Sequence, residues 1–200
     1  MADSTPHTVV GVVLRVHAGQ LQSVIGHAAL ADGEQLEDAL ARAVDVPALA
    51  HVEQLVTRVV GSGSVETAYL GLVPADSSLE AGWRDLADVH EHRELIATAQ
   101  SRLRAKLSYT NVGYALAPQV FTISELREIY VAALGHDVSP TNLQRVLVRR
   151  GVLERVEGRR PSGAAGGRPA ALFRFRSDRL EVTDEFAALR PPNAAHRNPV

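Results

Sequence analysis

The sequence predicts an α+β chain in which an α/β amino-terminal unit precedes a winged helix-turn-helix. Three observations predict it. Two capped amphipathic helices run into an arginine-bearing hairpin between residues 122 and 176. Apolar, β-branched runs surround one acidic helix before residue 75, and the two halves carry opposite charge. The expected organisation is 1–100 as an α/β unit, 101–178 as the winged helix, and 179–200 as a tail.

In the amino-terminal half, residues 8–16 form a β-branched run, and Gly19 turns the chain into 20–25, a hairpin partner. Residues 33–44 read as a helix with Leu36, Ala39, Leu40 and Ala43 on one face. Its acids Glu34, Glu37 and Asp38 lie near the start, where the helix dipole favours them. Residues 52–60 and 65–73 are strands around Gly61-Ser62-Gly63-Ser64. No helix start follows that loop, so a hairpin turn is expected there rather than a phosphate cradle. Residues 91–107 form a long helix joining the halves, with Leu95, Ala99, Leu103 and Leu107 in register.

The carboxyl-terminal half begins with Thr122 as an N-cap and Glu125 at the third helical position, the reciprocal pairing that satisfies two orphan amides. Leu126, Ile129, Tyr130 and Ala133 form its stripe, and Gly135 ends it. Ser139 caps a second helix with Pro140 in its first turn, ending at Gly151. Leu143, Val146 and Leu147 share the buried face. Thr141, Asn142, Arg145 and Arg149 project from the other side, as a recognition helix requires, and Arg150 is expected to snorkel from the apolar side. Residues 152–157 and 170–175 alternate as a hairpin whose long Gly-rich turn, 158–169, carries Arg159, Arg160 and Arg168. Those guanidiniums suit a wing against phosphates or in a minor groove; the alternative is a solvated hairpin tip. Lys106 and Arg104 are expected at flanking phosphates.

Residues 1–100 hold five Lys and Arg against fourteen Asp and Glu, and residues 101–200 hold sixteen against nine, so a net charge of −2 conceals halves of −9 and +7. Twenty of the twenty-one basic residues are arginine, which favours bidentate phosphate or guanine contacts and is also what a GC-rich genome produces. No cysteine is present, so disulfides and thiolate metal sites are excluded. The eight histidines lack a ligand spacing and are expected at the surface. No long apolar run or signal pattern occurs, and a cytoplasmic protein without a membrane partner is expected.

The order hairpin, acidic helix, Glu53-Gln54-Leu55, residues 68–73, Trp83, residues 102–110 and a winged helix ending Gly167-Arg168-Pro169-Ala170 resembles the Nudix-related transcriptional regulators of NAD metabolism, the NrtR family. The match runs nearly the length of the chain. The resemblance implies a Nudix-like domain that senses an NAD-derived metabolite, typically ADP-ribose, and dimerises. It also implies a winged helix that holds a palindromic operator in double-stranded DNA and represses NAD biosynthesis or salvage genes.

On the Nudix pattern, Glu34 and Arg42 occupy the first glutamate and the arginine, and they are the candidate ligand-binding residues. Ala43, Val46 and Pro47 stand at the three metal-binding glutamates, and Ala28 and Leu49 at the glycines. Magnesium cannot be clustered on a diphosphate there, so a degenerate, non-hydrolytic domain with no catalytic residue, metal or cofactor is expected. An ordinary surface helix explains Glu34 and Arg42 equally well. Two other classes remain open: a Nudix-type hydrolase of ADP-ribose-like nucleotides with a relocated base, and a scaffold whose winged helix binds protein. Beyond about Ser177 weak order is expected after one short amphipathic segment.

Overall fold

The computed structural model describes residues 5–61, 63–160 and 169–184. Its amino-terminal unit is a five-stranded sheet of order β3-β4-β1-β2-β5, formed by β1 (His7–His17), β2 (Gln20–Ala29), β3 (His51–Val60), β4 (Ser64–Leu72) and the short β5 (Arg84–Asp85). β1 pairs antiparallel with β2 and parallel with β4, and β3 returns antiparallel on β4. The β1–β2 hairpin closes in two residues, Ala18 and Gly19, both at positive φ, the conformation that matches strand twist.

β1 is apolar at successive positions because both of its faces are covered. Val10, Val12, Leu14 and Val16 point to one side, where they meet Leu70, Leu72 and α2 (Arg93–Tyr109). Val9 points to the other, against Ala39 and Leu40 of α1 (Leu36–Ala43) and Tyr69. The helix expected from residue 33 starts three residues later. Glu34 is held outside it, bonded to Arg42 and to the Ala31 amide, and Gln35 takes the N-cap position without a side-chain bond.

The larger core continues without a break from the sheet through Leu95, Ala99, Leu103 and Leu107 into the winged helix at Leu126, Ile129, Leu143, Leu147 and Phe173. Thus α2 belongs to both units, and the boundary expected near residue 100 falls inside it. α3 (Ile123–Leu134) has the full Thr122–Glu125 capping box and ends at Gly135 with φ 75°. α4 (Pro140–Arg149) is capped by Ser139, whose oxygen accepts from the Asn142 amide.

The wing consists of β6 (Leu153–Arg160) and β7 (Ala170–Phe175). β6 runs further than alternation predicts: pairing breaks after Val156 at a bulge containing Gly158, then resumes with Arg159 opposite Ala171 and Arg160 opposite Ala170.

Residues 177–184, where one short amphipathic segment is expected, dock on the end of α2, and the residues after them lie outside the described ones. The buried Asn111 donates from Nδ2 to Arg179 O at 2.8 Å and accepts at Oδ1 from the Glu181 amide at 2.7 Å. Thr183 and Asp184 donate their amides to Tyr109 O. These are long-range backbone bonds that no local periodicity encodes.

Candidate nucleic-acid interface and sensor face

α4 separates cleanly into two sides. Leu143 and Leu147 are buried and Val146 is half-buried, while Thr141, Asn142, Gln144, Arg145 and Arg149 are exposed. Arg145 Nη2 donates to Asn142 Oδ1 at 2.7 Å. The two side chains therefore form a unit one helical turn apart, with the remaining guanidinium N–H groups directed outward.

The turn before α4 is braced by a residue the periodicity did not single out. Arg127 of α3 donates through Nε to Val138 O at 2.7 Å and through Nη2 to the Asp137 carboxylate, which also accepts from the Val138 amide. These charge-assisted bonds tie α3 to the turn that leads into α4.

On the wing, Arg159 is exposed, as is Arg155 on the same strand. Arg160 instead reaches Glu125 of α3 and Val120 O, so it ties the wing to the first helix of the motif. Arg168 lies outside the described residues. Two expected phosphate contacts are also placed differently. Lys106 sits 2.8 Å from Glu53 Oε2 with its side chain 12% exposed, turned toward β3 because burying an ammonium demands a counter-charge. Arg104 is exposed, yet its Nε points at Ala133 O, 3.4 Å away in the last turn of α3, where a cation complements the helix dipole. Arg150 does not snorkel: its side chain is 12% exposed and donates to Ser108 O beside the Asp184 carboxylate.

In the amino-terminal unit, Glu34 and Arg42 bind each other. Arg42 Nη2 lies 2.6 Å from Glu34 Oε2 and 2.8 Å from Oε1, and it also donates to Ala29 O at 2.8 Å. The hydrogen bond from Arg42, followed by that from the Ala31 amide, holds the Glu34 carboxyl below the usual carboxylate range. The pair staples the 30–35 loop to α1. At the other end of α1 the approach is close: a side chain at Gly26 meets the Ala43 carbonyl.

The histidines are not uniformly superficial. His51 has a side chain 9% exposed and lies 3.7 Å from Glu53 Oε2, and His7 bonds Thr67 Oγ1 at 2.9 Å. Each opens a strand one residue before the run that the sequence marks, so periodicity did not place either ring.

Residues 113–175 match the family model described as the NrtR DNA-binding winged helix domain. The structure of Shewanella oneidensis NrtR complexed with a 27mer DNA superposes with a TM-score of 0.68 at 25% identity, covering 84% of this chain and 93% of that one. The chain thus resembles NrtR in the sequence of its winged helix and, over most of its length, in fold.

The ADPR responsive transcriptional repressor NtrR of Acinetobacter baylyi is 38% identical to this chain over 85 residues, 42% of this chain and 33% of that protein. The chain thus spans about a third of the length of that curated relative. A MutT/nudix family protein from Enterococcus faecalis, 16% identical with a TM-score of 0.63 over 88% of this chain and 90% of its own, shares the fold. The architecture is therefore an α/β sheet unit with the fold of those proteins followed by a winged helix, as the sequence predicts. Among the described residues no helix is long and apolar enough to cross a membrane.

Proposed function

We propose that this chain is a DNA-binding transcriptional repressor of NAD biosynthesis or salvage genes, responsive to ADP-ribose or a related NAD metabolite. The observation that carries the reading is the match of residues 113–175 to an NrtR DNA-binding winged helix, set in a chain whose fold follows an NrtR structure bound to DNA. The relative named as ADPR responsive supports the effector class.

In this mechanism Arg145, held by Asn142, and Arg149 enter the major groove with Thr141, and Arg159 and Arg168 secure the wing on phosphates. Arg160 supports the wing through Glu125 rather than through the duplex. A homodimer places two α4 helices on the half-sites of a palindromic operator, and effector binding changes their spacing. The Nudix-like unit acts without hydrolysis: Ala43 closes α1 and Val46 and Pro47 form a short 3₁₀ turn, so no carboxylate stands at the pattern's metal-binding positions.

Fluorescence anisotropy on the chain's own upstream region and on NAD-biosynthesis promoters, at two salt concentrations with and without ADP-ribose, tests the reading. Tight binding to one palindrome, released by ADP-ribose, is the expected result. Affinity no greater than for random duplex overturns it.

A further inference from the structure

The hydrogen-bonding groups that Asn142 and Arg145 leave unused on the exposed side of α4 determine which base edge the pair fits. Asn142 stands in the first turn of α4, where its backbone amide donates to Ser139 Oγ at 3.4 Å, so the residue is fixed where the helix is capped. Its Oδ1 accepts from Arg145 Nη2 at 2.7 Å, and both side chains are exposed. Among the described residues Arg145 makes no other hydrogen bond or ion pair.

A guanidinium presents its five N–H groups in planar forks, one formed by Nε with a hydrogen of Nη2 and another by the outward hydrogens of Nη1 and Nη2. Asn142 accepts a single Nη2 hydrogen. Whichever hydrogen that is, one fork stays complete. The carboxamide, in turn, directs its acceptor at Arg145. Reading adenine requires that oxygen to accept from the N6 amine while Nδ2 donates to N7. The pair therefore offers the groove two parallel donors instead of a donor beside an acceptor. In the major groove only guanine places two acceptors, O6 and N7, side by side on one base. The bond to Asn142 also draws the guanidinium toward the amino-terminal turn of α4, the end that a recognition helix presents to base edges.

Resting on the operator-binding reading above, we propose that Arg145 reads a guanine in each half-site through O6 and N7, and that Asn142 is a positioning residue that holds the guanidinium for this contact and does not itself read adenine. A free arginine side chain loses rotamer freedom when it docks on a base. One already held by Asn142 loses less, so the hold strengthens the contact and sharpens the preference for guanine.

The test uses the full chain to select duplexes from a random pool. Affinity is then measured for the selected duplex and for the same duplex with 7-deazaguanine at each invariant guanine in turn, which removes N7 while keeping base pairing and phosphate charge. Melting curves verify that each variant folds. At one guanine of each half-site, wild type is expected to bind the substituted duplex about tenfold more weakly, the loss of one arm of a bidentate contact. Arg145→Ala should bind the two duplexes equally. Asn142→Ala should shrink the difference to less than about threefold. Asn142→Asp keeps the acceptor and should restore the difference, while its charge lowers affinity for both duplexes alike. A selected half-site without an invariant guanine, or a guanine dependence that survives Arg145→Ala, overturns the reading of guanine and leaves the repressor standing. Asn142→Ala with the wild-type guanine ratio, or with a lost adenine preference in its place, overturns the positioning role. A pool in which no sequence is enriched overturns operator binding itself.

Discussion

Arg150, the residue that closes α4, places Nη2 3.5 Å from Oδ2 of Asp184, and each side chain is 12% exposed. The same guanidinium donates to Ser108 O near the end of α2. One cation thus joins α4, α2 and the segment that follows the wing. Asp184→Asn removes the counter-charge while keeping the shape and leaves a guanidinium largely desolvated. A loss of about 2 kcal/mol in urea unfolding is expected, below the range for a fully buried pair because some solvent reaches both groups. Amide exchange should quicken at the carboxyl-terminal turn of α4. Unchanged exchange there shows that the pair does not hold the helix.

Lys106 and Arg145 are both basic and both in the carboxyl-terminal half, yet their surroundings assign them opposite consequences. Lys106 neutralises Glu53 at 2.8 Å, with Arg102 3.7 Å from the other carboxylate oxygen. Lys106→Met should lower stability and leave the salt dependence of duplex binding unchanged. Arg145→Ala should weaken operator binding by about 1–3 kcal/mol and relax base preference at one position of each half-site. Anisotropy against salt concentration distinguishes them: a shallower slope for Lys106→Met places that lysine at a phosphate after all.

The elements that could be read in the sequence are those stabilised locally. The capping box at Thr122, the Ser139-Pro140 start and the β-branched run of β1 each depend on neighbours within a few residues. What could not be read depends on partners far along the chain. The start of α1 is set by Arg42 drawing Glu34 out of the helix, the course of residues 177–184 by Asn111, and the inward turn of Lys106 by Glu53. For the candidate interface, exposure along α4 followed from helical periodicity. The pairing of Arg160 with Glu125 did not, because it depends on how the wing folds back onto α3.

His51 gives the sheet unit a pH dependence with a definite sign. Burial lowers its pKa below the ordinary histidine value and Lys106 adds to that, while Glu53 opposes both. With the folded pKa below the unfolded one, the unfolded chain binds the proton more readily. The neutral ring's contribution is complete above about pH 6.5 and is lost as pH falls from there toward the folded value, at no more than about 1.4 kcal/mol per pH unit. Urea midpoints between pH 7.5 and 5 should fall more steeply for wild type than for His51→Gln. Parallel curves assign the acid sensitivity to other groups.

Gly26 tests the packing of α1 on the sheet. It lies in β2 opposite Gly11, and a Cβ added there is driven into the Ala43 carbonyl oxygen, with Val44 Cγ1 at 3.1 Å. The obstacle is backbone at the end of a helix, which cannot swing aside as a flexible side chain does. Gly26→Ala must therefore displace the end of α1 from β1 and β2, disturbing the contacts of Val9 with Ala39 and Leu40. The expected cost is about 1–3 kcal/mol, typical of overpacking, partly offset by the reduced freedom of the unfolded chain. Gly19→Ala is the comparison, since nothing lies within 4 Å of an added Cβ and only its positive φ resists the change. A cost at Gly26 no larger than at Gly19 shows that α1 yields freely. If α1 does resist, Gly26→Ala should also lower the melting temperature more than Gly19→Ala while leaving effector-free operator affinity intact, because α1 packs on the face of the sheet opposite the winged helix.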